Sequence, residues 1–104
     1  MQTDTLHKID FAKLERAAEI LKTISHPVRL EVIEHLAEAE PLCVGELQTR
    51  LRSTVEQSML SHHLGKMKDK GILVCEKRGT HIYYRLADRT FLNMFDCLAS
   101  CPLL

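Results

Sequence analysis

Residues 53–71, STVEQSMLSHHLGKMKDKG, hold the pattern that decides the fold. Leu60, Leu64 and Met67 recur at four- and three-residue steps, which marks the inward stripe of an amphipathic helix. Gln57, Ser58, Ser61, His62 and Gly65 lie opposite that stripe, and all are small or able to hydrogen-bond. Ser53 and Glu56 have the spacing of a capping box, in which a serine hydroxyl and a glutamate carboxylate each satisfy an end-of-helix N–H, so the helix is predicted to begin there. Gly71 stands where a left-handed C-terminal cap belongs.

Working outward toward the N-terminus, Val44, Leu47 and Leu51 predict a short helix over about 44–51, joined to the first by the short turn of a helix-turn-helix. Pro27 begins another helix, since its missing N–H would be unpaired in a first turn anyway. Its apolar set is Val28, Val32, Ile33, Leu36 and Ala37, and Pro41 closes the connection after it. Before the break at Ser25-His26-Pro27, the residues Phe11, Leu14, Ala18, Leu21 and Ile24 predict a one-striped helix over about 10–23. Toward the C-terminus, residues 72–77 and 81–86 read as the two strands of a hairpin around Arg78-Gly79-Thr80. After Asp88, the residues Phe91, Leu92, Met94, Phe95 and Leu98 define a last helix that Pro102 must end. The expectation is a mainly α fold with a β-hairpin wing, a winged helix-turn-helix of order α-α-α-α-β-β-α. Residues 1–10 would form a tail and 11–104 one domain. The first and last helices are surplus to the motif, and a two-fold dimer interface is their simplest use.

A chain of 104 residues, 45% hydrophobic and 27% charged, is composed like a soluble globular domain. No apolar run approaches the ~20 residues that span a bilayer. The polar start, with Asp4 and Asp10, lacks the features of a secretion signal. The expected location is the cytoplasm, with the four cysteines reduced. Net charge is zero, yet the charges are segregated: residues 1–47 carry five basic and nine acidic side chains, and residues 48–85 carry eight basic and three acidic. A local positive field beside a polar helix face suits the major groove of double-stranded DNA. Lys77, Arg78 and His81 at the hairpin tip suit a backbone or minor-groove contact. No nucleophile and base stand at a workable spacing, so no enzyme is expected. The competing reading is a module that uses the first and last helices for protein interaction.

Taken together, Ser25-His26-Pro27-Val28-Arg29-Leu30, then Gln57-Ser58-Met59-Leu60-Ser61-His62-His63-Leu64, then Gly71-Ile72-Leu73-Val74 with Gly79 and Tyr83-Tyr84-Arg85-Leu86, resemble the ArsR/SmtB winged helix-turn-helix repressors. The resemblance runs from about Ala12 to Leu98. It implies a homodimer on a pseudo-palindromic operator, released by an inducer. The DNA-facing set it suggests is Gln57, Ser58, Ser61, His62, His63 and Lys66 on the helix, with Lys77, Arg78 and His81 on the wing. His63, adjacent to His62 and so pointing to another side, is also expected to be partly buried. Gly65 departs from the family, which often has a lysine or arginine there.

The sensing sites of such repressors vary. Leu42-Cys43-Val44-Gly45-Glu46-Leu47 resembles the third-helix motif of the arsenic and lead sensors, with Gly45 in place of the second cysteine. The zinc-sensor positions hold Asp88, Thr90, Cys101 and Leu104, so the zinc pattern is not retained, and no cofactor is required. Cys97 and Cys101, one turn apart on the last helix, suit a soft ion such as As(III) or oxidation and persulfidation, with Cys43 as a third ligand. The alternative is that cysteines act as small buried hydrophobes, which is the reading favoured for Cys43 and Cys75. For Cys97 and Cys101 both readings stay open, as does a regulator without any inducer. His26 and His35 are read as structural, and His7 falls in the tail.

Overall fold

The computed structural model describes residues 9–104. His7, Asp4 and most of the expected tail therefore lie outside the described residues, as does the Phe91 side chain. Helix α1 spans Phe11–Ile24, α2 Pro27–Ala39, strand β1 Leu42–Cys43, α3 Val44–Arg50, α4 Gln57–Asp69, β2 Leu73–Arg78, β3 His81–Leu86 and α5 Asn93–Ala99, the last preceded by a 3-10 turn at Thr90–Leu92. The winged helix-turn-helix expected from the sequence is the observed fold. Among the described residues, no helix is long and apolar enough to cross a membrane.

The core collects the predicted stripes. Val32, Ile33 and Leu36 of α2, Leu47 of α3, and Leu60, Leu64 and Met67 of α4 are fully buried, and Leu73 and Leu86 close the core from the base of the hairpin. Local chemistry sets the helix ends. The Asp10 carboxylate accepts from the Lys13 N–H at 2.8 Å and starts α1. At the start of α2, His26 Nδ1 accepts from the Val28 N–H at 3.1 Å, just ahead of Pro27. At the end of α4, Gly71 takes φ +78°. Its N–H donates to Lys68 O and that of Ile72 to Met67 O, each at 2.9 Å, which is the double hydrogen bond of a Schellman cap.

Strand β1 was not predicted. Leu42 and Cys43 pair antiparallel with Tyr84 and Tyr83, giving a three-stranded sheet of order β1-β3-β2. Two residues are too few to show an alternating pattern, and the pairing is supplied by β3, far along the chain. Glu40 reinforces this junction: its carboxylate accepts from the Leu86 N–H at 2.8 Å and from Arg89 at 2.9 Å, while Arg89 also donates to Ala37 O. The root of the wing is thereby fastened to the end of α2.

Candidate nucleic-acid interface

Helix α4 begins at Gln57, three residues later than the Ser53 capping box predicts. Tertiary anchors hold the preceding segment extended. Val55 packs against the core and its carbonyl accepts from Gln48 Nε2 at 2.7 Å, so that carbonyl is not spent on a helical bond. The Arg52 N–H donates to Glu31 Oε2 at 2.8 Å. The connection between α3 and α4 is thus a pinned six-residue loop, longer than the expected turn. Glu56, the residue before α4, makes no side-chain cap, so Gln57 and Ser58 occupy a first turn that no side chain closes off.

Along α4, Gln57, Ser58, Ser61, His62 and Lys66 are exposed. These five share the outer side expected of them. His63 does not, and its inclusion in the DNA-facing set is corrected: it is 5% exposed and lies with Leu60 and Met67 on the buried side. The three- and four-residue steps from Leu60 and to Met67 carried that signal in the sequence. Its Nδ1 accepts a hydrogen bond from Arg29 Nε at 3.0 Å, an interaction that no local pattern announces.

The wing turns through Gly79 and Thr80, with Arg78 opposite His81 and φ +63° at Gly79. A positive φ at the first central residue alone is the signature of a type II′ hairpin, for which glycine is suited. Lys77, Arg78 and His81 are all exposed at this tip, as expected. Arg78 is directed by two neighbours, the Glu76 carboxylate at 3.1 Å and the Tyr83 ring, whose centroid is 5.2 Å from the guanidinium carbon.

Several cations of the basic segment are neutralised locally. Arg52 binds Glu31 at 2.9 Å and Glu34 at 2.7 Å, and Lys70 binds Glu19 at 3.2 Å. Burial pushes the Glu31 carboxyl up, but the Arg52 N–H, the Arg52 guanidinium and His35 together outweigh it and hold it below the usual value. Arg50, Lys66, Lys68, Lys77 and Arg85 make no ion pair among the described residues, so the positive field survives along α4 and the wing. The N-terminal end of α3 carries a different charge arrangement. There Glu46 accepts from the Cys43 N–H at 3.0 Å, and that bond, followed by the Cys43 thiol, lowers its pKa.

The cysteines divide. Cys43, the last residue of β1 and the N-cap of α3, is buried, as expected. Cys75 is exposed, contrary to its reading as a buried strand residue, because β2 leaves the core after Leu73 and Val74 and projects into the wing. Cys97 is exposed and Cys101 half-buried on and just beyond α5. Among the described residues no three His, Cys, Asp or Glu side chains converge as metal ligands, so one chain does not bring Cys43, Cys97 and Cys101 together as a three-thiolate centre. His26 and His35 are structural as expected, the former capping α2 and the latter bonded to Glu31 at 3.1 Å.

Residues 24–76 match the family model described as a helix-turn-helix domain. Over 80 residues, 77% of this chain and 78% of that protein, the sequence is 39% identical to the transcriptional repressor PagR of Bacillus anthracis. It is 37% identical over 75 residues to the HTH-type transcriptional repressor SmtB of Mycobacterium tuberculosis, which covers 72% of this chain and 53% of that protein. The solved structure of the transcriptional repressor BigR from Xylella fastidiosa superposes with a TM-score of 0.77 at 30% identity, covering 96% of this chain and 95% of that one.

Proposed function

The chain belongs to the ArsR/SmtB family of winged helix-turn-helix transcriptional repressors, and we propose that it acts as a homodimer that reads double-stranded operator DNA with α4 and holds the flanking backbone with the wing. The observation that carries this reading is the outer face of α4, where Gln57, Ser58, Ser61 and His62 are exposed opposite a fully buried stripe, together with a wing whose Lys77 and Arg85 make no ion pair among the described residues. Hydroxyl, amide and imidazole groups at that face suit base edges, whereas Lys66, Lys77, Arg78 and His81 suit phosphates. Partners in the dimer would meet through α1 and α5, whose apolar residues Phe11, Leu14, Leu21 and Leu98 are exposed in the single chain. Activity then consists of binding and release, with no catalytic step. The test is fluorescence anisotropy on an operator duplex and a scrambled one across a salt series. Ser61→Ala and His62→Ala are expected to lose about 1–3 kcal/mol of discrimination between the duplexes. Arg78→Ala is expected to weaken both alike and to lower the salt slope by about one. Three variants with unchanged binding and intact fold would remove the assignment of this face.

For release, the favoured inducer is thiol-reactive: an As(III)-type soft ion, an oxidant or a persulfide donor acting at Cys97 and Cys101. The supporting observation is that this pair lies outside the core on the α5 segment, while Cys43 is enclosed. Chemistry there would alter the α5 side of the proposed dimer and shift the two recognition helices relative to each other. A coupling of about 1–3 kcal/mol suffices to empty an operator. If the Cys97→Ser, Cys101→Ser double variant binds DNA and still dissociates with the same reagent, sensing lies elsewhere.

A further inference from the structure

The Arg29 guanidinium joins three helices. From α2 its Nη1 donates to the Thr23 carbonyl in the last turn of α1 at 2.7 Å, and its Nε donates to His63 Nδ1 on the inner side of α4 at 3.0 Å. Thr23 is itself buried, with its hydroxyl donating to Glu19 O at 2.8 Å. A ring nitrogen accepts a hydrogen bond only while it carries no proton, so this contact requires His63 to be neutral at Nδ1. The surroundings favour that state. His26 from the start of α2 lies 4.5 Å from the His63 ring between centroids, and His62 on the same helix lies 6.3 Å away. The cleft beside Arg29 is lined by Glu19 and Lys22 of α1 and by Lys66 and Lys70 at the end of α4. Glu19 is the single carboxylate among these described residues, and it is bound to Lys70 at 3.2 Å. Burial first, and then the charges of His26, Arg29 and His62, hold the His63 imidazole below its ordinary value.

We propose that Arg29 is a positioning residue for DNA recognition, bracing α4 against the end of α1 through the neutral ring of His63, so that acidification breaks the brace and weakens DNA binding. This rests on α4 being the DNA-reading helix. A proton on His63 removes the acceptor that Arg29 uses and places a buried positive charge beside the half-buried guanidinium. The ring must then turn or move out, and the inner side of α4 loses its tie to α1. The direction of the effect is diagnostic, because protonating histidines near DNA adds positive charge and would by itself tighten binding.

The experiment compares the parent chain with His63→Gln and Arg29→Met, measuring anisotropy on one labelled operator duplex at fixed salt from about pH 8 to about pH 5.5. In His63→Gln the introduced amide oxygen would accept from Arg29 without taking up a proton, while His62 is present in all three proteins. The parent is expected to lose affinity by a few fold at the acid end, less than the ~tenfold that an unshifted imidazole would give there. His63→Gln should keep the parent's affinity at high pH and lose the acid-dependent part. Arg29→Met should bind weakly throughout and also lose the pH dependence. The histidine ring signals of the parent, followed by NMR, should place the His63 titration at the midpoint of the affinity loss. Equal or tighter binding by the parent at low pH, or a His63→Gln variant as acid-sensitive as the parent, overturns the brace. A parent that binds no duplex at any pH overturns the assignment of α4 instead, a different result from a parent that binds well at all pH values.

Discussion

Helices α1 and α4 are almost equal in length, and each carries apolar residues at three- and four-residue steps, yet they end in opposite environments. In α4 the stripe is closed over completely, with Leu60, Leu64 and Met67 at 0% exposure. In α1 only Thr23 and Ile24, at the C-terminal end, are buried, while Phe11, Leu14 and Leu21 remain 73%, 48% and 49% exposed. The same periodicity therefore reports that a face needs covering without saying what covers it. Elements of its own chain cover α4. For α1 the described residues offer contact only near its last turn, and a stripe of several large apolar side chains left uncovered by them suits an association surface.

The sharpest way to test that contrast is to damage each stripe and read different quantities. Leu64→Ala opens a cavity in the closed stripe, and chemical denaturation should show a loss of about 2–5 kcal/mol of folding stability. Leu14→Glu places a charge on the open stripe, where folding within the chain asks little of it. Sedimentation should then show monomers, and operator affinity should fall about a hundredfold because each half-site recruits its recognition helix alone. If Leu14→Glu instead unfolded the chain as thoroughly as Leu64→Ala, the two stripes would not differ in kind. The smallest effect belongs to Gly65, half-buried on α4, where an added Cβ would meet nothing within 4 Å beyond the adjoining residues and backbone of its own helix. Gly65→Ala is expected to raise stability by about 1 kcal/mol, seen as a higher melting temperature.

Much of the architecture was legible because it is local. Stripe spacing placed all five helices, Pro27 and Gly71 fixed two boundaries, and the glycine at 79 with its flanking strands placed the wing. Elements that depend on a distant partner were not. Strand β1 exists because Tyr83 and Tyr84 come to it, and α4 starts late because Gln48 and Glu31 capture the preceding loop. The exposure of Cys75 depended on where the core ends along β2, which strand propensity does not encode. At the candidate interface, the outer residues of α4 were correctly grouped by period. The burial of His63 was readable from the same period, but its bond to Arg29, 34 positions away, was not.

The Schellman cap at Gly71 makes α4 and the wing continuous, since the residue that ends the helix's hydrogen bonding, Ile72, directly precedes β2. With the root of the wing also fastened through Glu40 to α2, neither reader has slack of its own. If both touch DNA as proposed, they behave like the two arms of a fixed caliper. The distance along the duplex between what the helix reads and where the wing lands is set by the fold of one protomer. Sequence changes in the outer face of α4 would then retune which bases are preferred while leaving the length of each half-site the same.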